Sequence, residues 1–270
     1  MEKENGISKQ TKLYTAIIIF LAYIAIISFP FGVFFGGLVG KITDLSLKIG
    51  FLVFTFITIY RYELCKIQIL PKKNFLLLLF IPLVLLTCSN WIYIWIFKSP
   101  LNKDFDVGSF TFDLVITLVT VICEELLFRE VIQERIKDYI SKEYLVILMS
   151  AGIFASIHVV NIFNGTPPLI VLAQIGYTSV LGLILSFMRE KGTGFIALCL
   201  FHFLFNSLNN NLFTALYNGD WNATFIVTNI IIGTIVVLYG VGLYFLLKNK
   251  SLSSNGKNNQ NNKITKSTDK

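Results

Sequence analysis

The stretch FDLVITLVTVICEELLFR, residues 112–129, decides the architecture. It opens as an almost unbroken run of Leu, Val, Ile and Thr, then sets Glu124, Glu125 and Arg129 within or at the edge of that run. Its length approaches the roughly 20 residues that span about 30 Å of hydrocarbon. Ionisable groups at such depth are tolerated where they face a cavity, pair with one another or carry out chemistry. On a helix Glu124 and Glu125 point about 100° apart, and Arg129 follows Glu125 by one turn, within reach of an ion pair. The spacing expects Glu125 and Arg129 to form a structural pair while Glu124 faces a polar cavity. A rotation of the helix would reverse the two glutamates.

The rest of the chain extends this reading. Hydrophobic residues make up 54% and charged residues 14% of it, with a mean hydropathy of +0.69, which excludes an ordinary soluble domain. The long apolar runs favour helices over the short alternating strands of a membrane barrel. Eight spans are expected: Leu13–Phe34, Leu45–Tyr60, Phe75–Phe97, Phe112–Phe128, Tyr144–Val160, Leu169–Phe187, Gly194–Leu208 and Phe225–Leu247. The second and seventh are short. The fold class is thus an all-α polytopic membrane protein. It divides into a cytosolic N-terminal segment (1–12), a transmembrane domain (13–247) and a basic, disordered cytosolic tail (248–270), whose Ser, Asn, Gln and Lys have little to bury.

Charge orients the scheme. Of the 23 Lys and Arg residues, 19 fall in the N-terminal segment, the tail and the connections after spans two, four and six. The other four are Lys41, Lys48, Lys98 and Lys103, on the opposite side. This bias places both termini in the cytosol of a multi-pass cell-membrane protein, which requires an even number of spans, as the scheme has. The net charge of +7 is read as topology and attraction to anionic lipid, with no nucleic-acid partner. Cys65, Cys88, Cys123 and Cys199 have neither metal-ligand spacing nor a disulfide framework, and Cys123 reads as a small membrane residue in preference to a nucleophile. The basic stretch before Leu13 resembles a leader but lacks a clear small-residue cleavage site, so a retained first helix is expected. Ile132, Ile136, Tyr139 and Ile140 recur at helical spacing, extending the fourth helix into or along the interface. Asn161–Pro168 is a turn.

The only two histidines, His158 and His202, lie in apolar runs. Phe154 shares a face with His158, and Asn206 shares one with His202. In a hydrolytic reading, Glu124 acts as general base on a water also held by His158. His202 and Asn206 then donate hydrogen bonds to the oxyanion that develops on a peptide carbonyl. A metal-free site is preferred; zinc held by Glu124, His158 and His202 is the other version, without the familiar His-Glu-x-x-His scaffold. The span ends set a condition on this site. Glu124 would lie near the cytosolic end of its helix and His158 about fourteen residues in, a depth gap on the order of 10–15 Å. Convergence expects a helix that runs past Phe128, a tilt, or a fifth helix that starts below the surface.

Three motifs carry a family resemblance: Glu124-Glu125-Leu126-Leu127-Phe128-Arg129, Phe154-Ala155-Ser156-Ile157-His158 and His202-Phe203-Leu204-Phe205-Asn206. Together they resemble the CPBP family of intramembrane proteases, which includes type II CAAX prenyl endopeptidases and proteins of bacteriocin processing or immunity. The resemblance covers about residues 112–208. It implies a protease-like core in which Glu124 and His158 activate water, His202 and Asn206 form the oxyanion hole, and Glu125, Arg129 and Phe154 support them. It also implies a membrane-associated protein or peptide as substrate. The Lys-, Asn- and Ile-rich composition points to a low-GC bacterium, where a peptide pheromone, a bacteriocin leader or a membrane-bound regulator is the expected client. A non-catalytic immunity or regulatory scaffold protein and a proton-coupled transporter are the alternatives.

Overall fold

The computed structural model describes residues 7–29, 34–70, 91, 95–96, 105–212 and isolated positions between 231 and 242. Among them every regular element is helical. Four helices are long and apolar enough to cross a membrane: Lys9–Ser28, Gly37–Tyr62, Glu143–Ile162 and Pro168–Glu190. Most of the expected spans Phe75–Phe97 and Phe225–Leu247, and the tail from Lys248, lie outside the described residues.

Helix α1 (Lys9–Ser28) starts where the Ser8 side chain accepts from the Thr11 amide, satisfying one of the unpaired donors of the first turn. It ends earlier than the expected Phe34. Pro30 follows Phe29 in the sequence, and a residue before proline is pushed out of the helical region; Phe29 is extended, with φ −90° and ψ 120°. Helix α2 (Gly37–Tyr62) is correspondingly longer than the expected Leu45–Tyr60. Lys41 and Asp44, which precede the expected start at Leu45, are helical, as is Lys48 within the expected span. They are held by ion pairs, Lys48 with Asp44 at 2.8 Å and Lys41 with Asp113 at 2.6 Å. Pairing is what lets charged side chains stay within an apolar helix.

Helix α3 (Val107–Glu125) does not stop at Phe128. It runs through a π-helical stretch, Leu126–Ile132, into α4 (Gln133–Lys137). The extension past Phe128 is about nine residues, or ~13 Å, the size of the depth gap that the sequence posed. After a turn, α5 (Glu143–Ser156) tightens into a 3-10 segment, Ile157–Ile162. The turn that follows contains Gly165 at φ +84°, a conformation that glycine adopts without strain. Helix α6 (Pro168–Glu190) then begins with proline at its first position, where the missing N–H is no loss. Helix α7 (Phe195–Leu204) continues into a second π-helical stretch, Phe205–Asn211. The apolar part of this last segment, Phe195–Leu208, is short for a crossing helix.

Packing centres on α3. Tyr23 and Ile19 of α1, Phe51 of α2, Leu126–Phe128 and Phe154 form one buried cluster. Leu181, Leu185 and Met188 of α6 with Leu198 and Phe201 of α7 form another. Ile18, Leu21, Val53, Ile57, Leu148 and Leu172 are exposed, as apolar side chains facing lipid can be. Helices α5 and α6 approach closely at Gly182, where a Cβ would meet Phe154 Cδ1 at 3.1 Å and Ala151 Cα at 3.2 Å. Small residues permit such approach between membrane helices. A buried polar latch ties α4 to the same pair of helices. Gln133 donates to the Ser186 carbonyl (3.0 Å) and to Glu190 (2.8 Å), and Arg189 reaches Glu130 at 2.8 Å.

Candidate active site

One cavity of about 290 Å³ is lined by Glu124, His158, His202 and Asn206, together with Tyr23, Asp44, Lys48 and Gln174. The four residues singled out from three motifs therefore face a common space, although they come from α3, the 3-10 segment after α5, α7 and its π-helical continuation. Both helices that bear paired motif residues pass into π-helix just after or at the motif: at Leu126 after Glu125, and at Phe205 before Asn206. A π-turn inserts an extra residue and rotates everything beyond it. Such turns recur at functional sites.

The two glutamates face different partners. Glu124 is 6% exposed; its Oε1 accepts the Tyr23 hydroxyl at 2.8 Å, and its Oε2 lies 3.6 Å from His202 Nε2. Glu125 is fully buried. Its Oε1 accepts from His202 Nδ1 at 2.8 Å, and its Oε2 is 3.3 Å from Arg129 Nε. This last contact is close enough for an ion pair but lacks the alignment of a hydrogen bond, so the attraction is one of charge. The Arg129 guanidinium also lies over the Phe154 ring, 4.6 Å from its centroid, a favourable placement for a cation with few hydrogen bonds.

Phe154 holds both imidazoles. Its ring meets those of His158 and His202 edge-on, each with centroids 5.7 Å apart, and packs on Phe128 at 5.2 Å. His158 Nδ1 is 3.2 Å from Gln174 Nε2, while its Nε2 is buried without a hydrogen-bond partner among the described residues. The hydrogen bond of His158 thus goes to α6 and not to Glu124. Among the described residues no group of three His, Cys, Asp or Glu side chains is disposed to hold a metal ion. Glu124, His158 and His202 share the cavity without forming a ready coordination sphere. Cys123 is buried, donates its thiol to the Lys48 carbonyl at 3.4 Å and does not line the cavity. Cys65, Cys123 and Cys199 are free thiols.

Tyr23, Gln174, Asp44 and Lys48 are site residues that the motifs did not indicate. Asp44 and Lys48 carried a signal, opposite charges one helical turn apart. Gln174, a lone amide in an apolar run, carried another. Tyr23 carried none, since tyrosine is common near membrane surfaces.

Residues 106–208 match a family model described as type II CAAX prenyl endopeptidase Rce1-like. No curated protein and no solved structure matches the chain.

Proposed function

We propose, from the premise that residues 106–208 belong to the CAAX-protease (CPBP) family, that this protein is an intramembrane endopeptidase with Glu124 as its general base. The observation that carries the reading is the common cavity of Glu124, His158, His202 and Asn206. Three sequence-distant helical segments supply an acid-base group and hydrogen-bond donors to a space large enough for water and a peptide bond. Catalysis of this kind asks first for such geometry.

The reaction runs as follows. Glu124 takes a proton from a water that His158 helps to hold, and the hydroxide adds to the peptide carbonyl. Negative charge on the carbonyl oxygen is met by the Asn206 amide and His202 Nε2–H. In that role the His202 ring carries hydrogens on both nitrogens, since its Nδ1–H is already given to Glu125. The tetrahedral adduct then collapses. Glu124 passes the proton to the departing nitrogen, leaving a new carboxyl group on one fragment and an amine on the other. Glu125 and Arg129 fix His202, and Tyr23 fixes Glu124. The Lys and Arg bias of the sequence supports a topology with both termini in the cytosol, and the substrate is a membrane-associated protein or peptide.

Reconstitution in liposomes with a panel of membrane-anchored peptides tests this. Mass spectrometry should find paired fragments, a new carboxyl terminus and its matching amine, that appear with the wild type and not with Glu124→Gln. A Glu124→Gln chain that is folded, abundant and fully active in the cell would establish the scaffold alternative.

A further inference from the structure

We propose that Gln174 is a positioning residue that fixes His158 in the tautomer with its hydrogen on Nε2, so that the ring presents a donor, and not a lone pair, to the cavity. The inference rests on the protease reading only for its consequence in catalysis; the tautomer itself follows from the hydrogen-bond chain.

That chain begins at Asn161, whose Nδ2 donates to Gln174 Oε1 at 2.8 Å. The Gln174 atom that faces its other neighbour, His158 Nδ1, is the amide nitrogen, at 3.2 Å, and an amide nitrogen can only donate. An imidazole nitrogen that accepts carries no hydrogen, so the neutral ring bears its hydrogen on Nε2. That nitrogen is buried and has no hydrogen-bond partner among the described residues, and His158 and Gln174 both line the cavity. A buried N–H is costly to leave unpaired, and an acceptor in the cavity is what it lacks. Local structure supports the arrangement. The change from α-helix to 3-10 at Ile157 brings His158 and Asn161 within one tight turn, and Gln174 meets both from α6.

The contrast with His202 is the telling part. There the neighbour of Nδ1 is the Glu125 carboxylate at 2.8 Å, which can only accept when ionised. An amide donor beside one Nδ1 and a carboxylate acceptor beside the other give the two Nδ1 atoms opposite roles: that of His158 accepts and that of His202 donates. His158 Nε2–H can then donate to the oxygen of the attacking water, leaving that water's hydrogens free for Glu124. The same hydrogen occupies the lone-pair position through which His158 Nε2 would bind zinc.

Nitrogen-15 NMR of the full chain in nanodiscs, labelled at histidine, reads the tautomer directly. With two histidines in the sequence, His202→Gln assigns the pair. His158 should show a lone-pair-type Nδ1 and a protonated Nε2. Gln174→Glu, whose ionised carboxylate demands an N–H, should move the hydrogen to Nδ1; Gln174→Leu should leave the ring in mixed tautomers. In both variants kcat should fall by about tenfold or more with a smaller change in KM. A wild-type ring protonated at Nδ1, or a spectrum that neither variant alters, overturns the proposal. The predicted spectrum in a protein that cleaves no peptide would instead leave the tautomer standing and remove the protease reading.

Discussion

Replacing Tyr23 with Phe removes one oxygen and little else, because the ring keeps its contacts with Phe51 (5.2 Å) and Phe128 (6.3 Å). The hydroxyl lost is the donor to Glu124 Oε1 at 2.8 Å, within a buried site. A hydrogen bond to a charged group contributes about 1.5–3 kcal/mol. For a chain of this size that corresponds to a fall in melting temperature of roughly 3–12 °C. If the same bond holds the carboxylate in the orientation that the reaction needs, the whole of it expressed in the barrier bounds the fall in kcat at about 10- to 150-fold. KM should change by less than about threefold, since Tyr23 is assigned to the base and not to the peptide. The assay is peptide cleavage in liposomes beside thermal unfolding in detergent. A Tyr23→Phe protein with wild-type melting and wild-type kcat would refute the idea that α1, which lies outside the matched segment, completes the site.

Four further outcomes are expected. Gly194→Ala should be poorly tolerated, because its Cβ would clash with the Ile69 carbonyl oxygen and sit 2.7 Å from Leu70 Cα. The Phe195 amide also donates to Gln68 O there; a loss of about 2 kcal/mol or more is expected, and wild-type melting would contradict it. Arg129→Met should cost about 3–5 kcal/mol by leaving Glu125 without its buried counter-charge, and adding Glu125→Gln should restore part of it. Burial, with help from Glu130 and Glu134, pushes the Cys65 thiol up to about 12. In a chain with the other cysteines changed to Ala, maleimide labelling at Cys65 should therefore keep rising about tenfold per pH unit from pH 8 to 10.5, since the thiolate reacts; a plateau near pH 9 would contradict this. Chelation by phenanthroline should leave cleavage unchanged, whereas a loss restored by added zinc would favour the zinc version of the site.

Much of the site could be read from the sequence because the membrane makes polarity conspicuous. Glu124, Glu125, Arg129, His158, His202 and Asn206 stand out in apolar runs, and their order along the chain assigned them together. The span boundaries were harder. Hydropathy ended a span at Phe128, and the helical spacing from Ile132 onward pointed to an extension; the chain continues through the π-helical stretch and α4 to Lys137, with Arg129 and Glu130 buried and paired. Pairing likewise hid the true start of α2: Lys41 and Asp44, before the expected Leu45, look like a connection until their partners are known. The π-helical stretches have no signature in the pattern of apolar residues, although they set where Arg129 and Asn206 point. Tyr23 and Gln174 meet Glu124 and His158 from parts of the chain outside the motifs, so they come into view only when α1 and α6 are packed against them.

Water activation by Glu124 is tested most directly by comparing three full-length chains in the same liposomes with the same membrane peptide: wild type, Glu124→Gln and Cys123→Ala. General-base catalysis by a positioned carboxylate predicts that Glu124→Gln loses about 100-fold or more of kcat at wild-type abundance and melting. Cys123→Ala should cleave normally. Cleavage retained in Glu124→Gln, or lost in Cys123→Ala with the fold intact, would contradict a glutamate-activated water in this cavity.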